Sequence, residues 1–286
     1  IPFPNPDLFR QLPWRTQVLR GLEGADLIGF QRRRDEASFL NLAASDPEAH
    51  TPRTGTFPIS IDAGEFDKAD DAAIAKVREL VSNPHTLMLG VDRLDYTKGI
   101  LQRLTAIEEL LEEGRLESAA LIQVATPSRE RIDSYKATRA GVEEAVGRIN
   151  GRYGKLGRPV VHYEHHAVPK SQLRNYYSAA DIMLVTPFKD GMNLVAKEYV
   201  ACHPDGSGAL VLSEFAGAAV ELNRAHVCNP FDVESVKNSI VAAIEAQDSP
   251  AARDAMMQMN AHVREHDVSR WAEAFLSELA AVRRNR

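Results

Sequence analysis

Apolar residues along this chain fall into short continuous runs separated by longer stretches with helical spacing. The opening Ile1-Pro2-Phe3-Pro4-Asn5-Pro6 is too rich in proline for a helix and reads as extended or turn-like. Leu8, Leu12, Trp14, Val18 and Leu19 then recur at helical intervals, which predicts one helix over 8–21 ending at Gly21. Residues 25–30 read as a short buried strand and 33–45 as an amphipathic helix. Residues 45–56 are polar and carry Pro47, Pro52 and Gly55, so a loop on one edge is expected there. A strand over 57–61 and a helix from about 64 to 82 complete this first part.

Asn83-Pro84 marks a boundary, and beyond it the pattern is regular. Strands are predicted at 86–91, 119–124, 159–163, 181–185 and 209–212, alternating with helices at 99–114, 128–150, 169–178, 191–203 and 232–246. Such alternation specifies a parallel sheet with helices on both faces. Its strands, 87–91 and 209–212 for example, are apolar on both sides, as a buried parallel sheet requires. Residues 251–286 read as helical, anchored by Trp271 and Phe275.

Composition narrows the class. With 286 residues, 44% apolar and 26% charged, the chain is globular and long enough for one large or two modest domains. A formal net charge of −6 gives no general electrostatic case for nucleic acid. The basic clusters Arg32-Arg33-Arg34 and Arg283-Arg284 are short and suit a solvated helix face or a frayed end. No apolar run reaches the roughly 18–20 residues that span a bilayer, so no membrane partner is expected. Cys202 and Cys228 sit in apolar surroundings without zinc-ligand spacing, which points to buried thiols in a reducing, cytoplasmic compartment. Because the first residue is Ile1, the chain is expected to begin inside a longer gene product.

Candidate chemistry gathers at the predicted strand ends. The strand at 181–185 runs into an Asp190-Gly191 turn and then a helix carrying Glu198 in its second turn. The first N–H groups of such a helix lack intrahelical partners and, with the helix dipole, suit a phosphate or diphosphate. Gly191 permits close backbone approach, and Asp190 and Glu198 are acceptors for sugar hydroxyls. The strand at 86–91 empties into Asp92-Arg93-Leu94-Asp95-Tyr96-Thr97-Lys98-Gly99, where Arg93 and Lys98 can converge on one anion. Alternatively, Arg93 pairs with Asp92 or Asp95 and Lys98 lies in solvent. One strand later, Ser128 reads as an N-cap and Arg129 as the start of a helix, a poor place for a cation unless an anion is near. His162, His165 and His166 have no partner at metal-ligand spacing, and no Asp-x-Asp pair, Walker loop or nucleophile elbow is present.

These segments, set side by side, closely resemble the trehalose-6-phosphate synthase family. The two most specific are Asp-Arg-Leu-Asp-Tyr-Thr-Lys-Gly at 92–99 and Asp-Gly-Met-Asn-Leu-Val-Ala-Lys-Glu-Tyr at 190–199. Residues 1–4, 11–15, 24–30, 57–62, 147–151 and 215–218 also match, in the family's order, so the resemblance runs from residue 1 to about 235. It implies an α/β chain of two facing Rossmann-like domains, the glycosyltransferase B type, with the N-terminal domain only partly present. On that plan, 1–83 is the end of the acceptor domain, 84–250 the donor domain, and 251–286 helices that brace back onto the first.

The implied reaction moves glucose from UDP-glucose to glucose 6-phosphate with retention, giving trehalose 6-phosphate and UDP. By resemblance, Arg93 and Lys98 are catalytic, holding the donor diphosphate and stabilising departing UDP, and Arg129 grips the acceptor phosphate. Asp190 takes the donor-sugar hydroxyls, while Gly191, Met192, Asn193, Leu194 and Val195 form the backbone cradle. Glu198 binds the ribose, and Val124 and Val168 fall where uracil is held. No cofactor or metal is implied, and a homo-oligomer is compatible with the pattern. The family's glycine-rich loop, acceptor aromatics, an Asp and a His belong upstream of Ile1, and the chain alone is expected to turn over poorly or not at all. Two readings compete: a related glycosyltransferase with another acceptor, and a non-catalytic sugar-phosphate sensor. A sensor would be expected to lose one of the donor-phosphate cations, all of which are present here.

Overall fold

The computed structural model describes residues 2–44, 51–129, 131–247 and 249–284. It is an α/β structure that divides into two compact units. One comprises Ile1–Asp62, Asp190–Met192 and Glu265–Arg286; the other comprises Ala63–Lys189 and Asn193–Arg264.

In the first unit, helices α1 (Pro6–Arg10), α2 (Arg15–Glu23) and α3 (Arg33–Ala43) surround a two-stranded parallel pair, β1 (Leu27–Phe30) and β2 (Arg53–Thr56). The single helix expected over 8–21 is therefore two. Pro13 has no N–H to donate and its ring clashes with the preceding turn, so the chain breaks there. A second correction concerns the strand expected at 57–61. The paired strand is instead the polar Arg53–Thr56, within the segment read as a loop. Thr54 and Thr56 donate their hydroxyls to Glu36 of α3 at 2.7 and 2.6 Å, which satisfies that polar face. The rest of that expected loop, 45–50, lies outside the described residues. Phe9, Leu19, Phe30, Phe39 and Leu42 form the core of this unit. The last helix, α11 (Val268–Arg284), packs on β1, with Trp271 donating to the Phe57 carbonyl at 3.1 Å and Phe275 edge-on to Phe57.

The second unit begins with a 3-10 turn, Ala63–Phe66, and then α4 (Asp71–Leu80), shorter than the 64–82 helix expected because Asp70 caps it, accepting from Ala73 N–H. A six-stranded parallel sheet follows: β3 (Thr86–Arg93), β4 (Ala119–Thr126), β5 (Val161–Glu164), β6 (Ile182–Val185), β7 (Ala209–Ser213) and β8 (His226–Cys228). Its spatial order is β5-β4-β3-β6-β7-β8. The chain works outward from β3 to β5, crosses back, and works outward again from β6. Helices α5 (Ile100–Glu112), α6 (Asp133–Tyr153), α7 (Lys170–Ala179), α8 (Leu194–Ala201), α9 (Val233–Glu245) and α10 (Pro250–Glu265) make the connections and the final turn-back. Met88, Leu121, Ile182 and Val211 of the sheet pack with Ile107, Val142 and Ile240 of the helices in one continuous core. Strand β8 escaped the sequence reading, since three residues with an exposed Val227 carry no strand pattern.

The strand order reverses between β3 and β6, the place where open α/β sheets bind ligands. These strands pair only at Met88↔Ile182 and Leu89↔Met183, whereas β3 and β4 pair along their whole length. Beyond Leu89 and Met183 the two strands no longer pair, and the space between their carboxyl ends is where sheets of this order form their ligand crevice.

Candidate functional site in the second unit

Two connections border that crevice. The first leaves β3 at Arg93, which is exposed, while Asp92 before it is buried. Asp95 caps a single 3-10 turn, Tyr96–Lys98, by accepting from the Thr97 N–H at 2.9 Å and the Thr97 hydroxyl at 2.8 Å. That turn delivers Lys98, half-buried, to the start of α5. Gly99 follows with φ 65, and a Cβ there would collide with the Thr186 carbonyl oxygen, so only glycine fits. The second connection leaves β6 through Thr186 and is tied to the first by the Phe188 N–H donating to the Thr97 carbonyl at 2.8 Å.

Beneath both lies Arg103 of α5, with no exposed surface. One of its guanidinium nitrogens donates to Asp92 at 2.7 Å and to Gln123 at 2.8 Å; Nε donates to the Thr186 hydroxyl at 3.1 Å. This one side chain ties β3, β4 and the β6 connection to α5. Gly90 leaves the space it needs, for a Cβ there would strike the guanidinium. Sequence reasoning passed over Arg103, although a signal existed. It takes a position in the stripe Ile100, Leu104, Ile107, which is otherwise apolar and fully buried.

Arg129 follows β4 but does not start a helix. Its φ of 47 is left-handed, and α6 begins only at Asp133, an acid in the first turn where the dipole favours it. Ser128 is accordingly not an N-cap. What holds the exposed Arg129 is Tyr135 of α6: a guanidinium nitrogen donates to the Tyr135 hydroxyl at 3.3 Å, and the guanidinium carbon stands 5.9 Å from the ring centroid. The Tyr135 hydroxyl in turn donates to Asp95 at 3.1 Å. Burial would raise the pKa of Asp95, but the Thr97 and Tyr135 hydrogen bonds and the nearby Arg93 charge outweigh it and hold the carboxyl below its ordinary value. A chain of contacts thus joins Arg129 to the loop that carries Arg93 and Lys98.

Across the crevice, α8 starts at Leu194, later than the expected 191. Asn193, left-handed at φ 80, is its N-cap and accepts from the Ala196 N–H at 3.1 Å. The N–H groups of Leu194 and Val195 precede the first intrahelical bond and remain for a ligand or solvent. Glu198, in the second turn, is half-buried and accepts from the Tyr177 hydroxyl at 2.7 Å. Burial pushes its pKa up, with the Tyr177 bond and Lys170 opposing. Val124 is buried within β4, and Val168 is half-buried between β5 and α7. Asp190, Gly191 and Met192 group with the first unit, where the Met192 N–H donates to Asp190 at 3.4 Å. Among the described residues no group of His, Cys, Asp and Glu is arranged to hold a metal, and no helix is long and apolar enough to cross a membrane.

The second unit's sheet order and its crevice define an α/β protein of the Rossmann class. Comparison with known proteins narrows the class. The description of Glycosyltransferase family 20 matches residues 1–281, and the chain belongs to that family. It is 49% identical to trehalose-6-phosphate synthase of Mycobacterium leprae, over 98% of this chain and 61% of that protein. A Burkholderia xenovorans alpha,alpha-trehalose-phosphate synthase (UDP-forming), in complex with glucose-6-phosphate, superimposes with a TM-score of 0.90 at 32% identity, covering 98% of this chain and 66% of its own. An E. coli structure bound with UDP-2-fluoro glucose gives 0.87 at 34% identity, with 98% and 66% covered. The chain therefore spans about 61% of the length of the curated relatives it matches.

Proposed function

We propose that this chain carries the donor-binding part of a trehalose-6-phosphate synthase, which transfers glucose from UDP-glucose to glucose 6-phosphate with retention. One observation supports this most strongly: the Lys98 turn and the connection leading to α8 meet across the β3/β6 gap, bonded to each other through Phe188 and Thr97. A diphosphate there lies between cations and a helix N-terminus. As the bond from C1 to the phosphate oxygen breaks, negative charge grows on UDP. Arg93 and Lys98 are preorganised to stabilise it, as is the start of α8. The acceptor hydroxyl forms its bond to C1 on the same face and gives its proton to the leaving phosphate oxygen, so no protein nucleophile is required. Arg129 takes the acceptor phosphate through charge-assisted hydrogen bonds. Glu198 accepts from the ribose hydroxyls, Leu194 and Val195 offer backbone donors, and Val124 and Val168 border the uracil.

Cys202 and Cys228 are buried and unpaired with each other, their thiols pushed up to about 12 by desolvation. Such inert thiols suit a cytoplasmic protein.

The test is release of UDP from UDP-glucose, which should require glucose 6-phosphate. A binding-only relative would be stabilised by the nucleotide sugar without releasing UDP. Lys98→Ala should lower kcat by roughly 10²–10³-fold, the size of one lost oxyanion donor, and leave KM for glucose 6-phosphate within about threefold. An unchanged kcat would overturn the assignment.

A further inference from the structure

Helix α7 carries two consecutive tyrosines, and each hands its hydroxyl to a glutamate on another element. Tyr176 donates to Glu164 at the end of β5, and Tyr177 donates to Glu198 in α8, each at 2.7 Å. The two pairs differ in setting. Tyr176 is itself held by Gln172, which donates to its hydroxyl at 2.6 Å. Tyr177 has no exposed surface at all, and its ring leans on Phe66 at 6.3 Å between centroids. Its hydroxyl holds Glu198 at Oε2. Among the described residues no other hydrogen bond to the Glu198 carboxylate is made, which leaves Oε1 to meet a ligand.

A carboxylate that is to accept from sugar hydroxyls must be ionised and must point one way. Burial works against the first requirement, and a glutamate's three side-chain torsions work against the second. We infer that Tyr177 is a positioning residue for the donor ribose, its buried hydroxyl holding the Glu198 carboxylate charged and aimed into the crevice. This rests on the proposed donor site. Tyr177 can act this way across the working pH range, because its own hydroxyl is pushed well above 10 by complete desolvation, with the Glu198 charge adding to the effect, and it remains a donor. Among the described residues Tyr177 is the one hydrogen-bond donor to the Glu198 carboxylate, and Lys170 bears on it through charge alone. Lys170, two turns earlier on α7, is paired with Glu65. Arg174 of α7 and Asp67 bear on Cys202, and Asp92 of β3 bears on Tyr177. Cys202 stays a neutral thiol.

The experiment is UDP binding by calorimetry across pH 5–8 for the wild type, Tyr177→Phe, Tyr176→Phe and Glu198→Gln, with melting temperatures recorded for each. Tyr177→Phe should weaken UDP about tenfold at neutral pH, the scale of a hydrogen bond to a charged group. Without that donor the Glu198 pKa rises further, so the loss of binding on acidification should begin at higher pH. Pyrophosphate, which has no ribose, should bind the variant and the wild type equally. Turnover at saturating UDP-glucose should stay within about twofold, because the ribose contact is the same in ground and transition states. Tyr176→Phe removes an equivalent hydrogen bond from the same helix and gauges the cost to the fold alone; it should leave the UDP pH profile in place. If Tyr177→Phe binds UDP with wild-type affinity and pH profile while Glu198→Gln loses it, the inference is wrong and the donor site stands. If the wild type binds no UDP, both fail.

Discussion

The connections after β3 and β4 both carry a cation to the carboxyl edge of one sheet, yet they are held in different ways. Lys98 stands on a loop fixed from below by the buried Arg103, from the side by the Phe188–Thr97 bond, and at its end by a glycine that nothing else can replace. Arg129 is exposed and left-handed, and its guanidinium donates to one tyrosine on α6. A charge that must act on developing charge needs its geometry set before the ligand arrives. A charge that only captures a phosphate can be placed by the ligand, with a long side chain closing the gap. The contrast in support matches the contrast in proposed roles.

Perturbing the deep support should have the largest effect. Arg103→Met strands Asp92, 6% exposed, without its cation, and removing one partner of a buried pair costs about 3–5 kcal/mol. The melting temperature should fall by on the order of 10 °C, and UDP binding should fall with it. Adding Asp92→Asn should recover part of the stability without restoring binding, since the Thr186 tie is still missing. A drop under about 2 °C would mean the network does not set the loops. Next comes Gly99→Ala, which forces a side chain into left-handed backbone at about 1–2 kcal/mol, before the collision with Thr186 is relieved. It should raise KM for UDP-glucose and lower kcat together, because Lys98 moves with the loop. Arg129→Ala should behave oppositely: no change in melting temperature and kcat, but KM for glucose 6-phosphate raised about tenfold. If Arg129→Ala lowered kcat as Lys98→Ala does, the division of labour would be wrong.

The same depth decides what was legible in the sequence. Strands β3, β4, β6 and β7 announce themselves as apolar on both faces, and the cations at their ends stand beside them in the chain. Arg93, Lys98 and Glu198 were therefore within reach of pattern reading. What supports them was not. The partners of Arg103 lie 11, 20 and 83 residues away, and Tyr177 stands 21 residues from Glu198. Such pairings exist only once the sheet order is known. Strand β2 was misplaced for a related reason, since its polar threonines are satisfied by Glu36 on a helix that precedes it in the chain. Propensity pointed to the alternating Phe57, Ile59 and Ile61 instead, whose neighbours in space are a helix and a side-chain amide: Ile59 N–H donates to the Gln31 carbonyl at 2.8 Å.

The smallest expected effect probes the bridge between the two loops. Tyr135 accepts from Arg129 and donates to Asp95, so Tyr135→Phe cuts this side-chain link between the β4 connection and the Lys98 turn while keeping the ring and the Leu94 N–H bond to the Thr126 carbonyl. Asp95 retains its bonds from Thr97, and the loss should be about 0.5–1.5 kcal/mol, a single hydrogen bond. Its pH dependence distinguishes this bond from simple packing. The pKa of Asp95 is depressed in the folded protein, so the stability its ionised form contributes is full above the unfolded value near 3.8 and drains away as pH falls through the folded one. Removing the Tyr135 hydroxyl brings the folded value back up toward the unfolded one. The stability gap between wild type and variant, measured by urea unfolding, should be widest at neutral pH and narrow steadily below about pH 4. A gap of constant size from pH 7 to pH 3 would assign the effect to packing and remove Tyr135 from the electrostatic chain that joins Arg129 to Asp95.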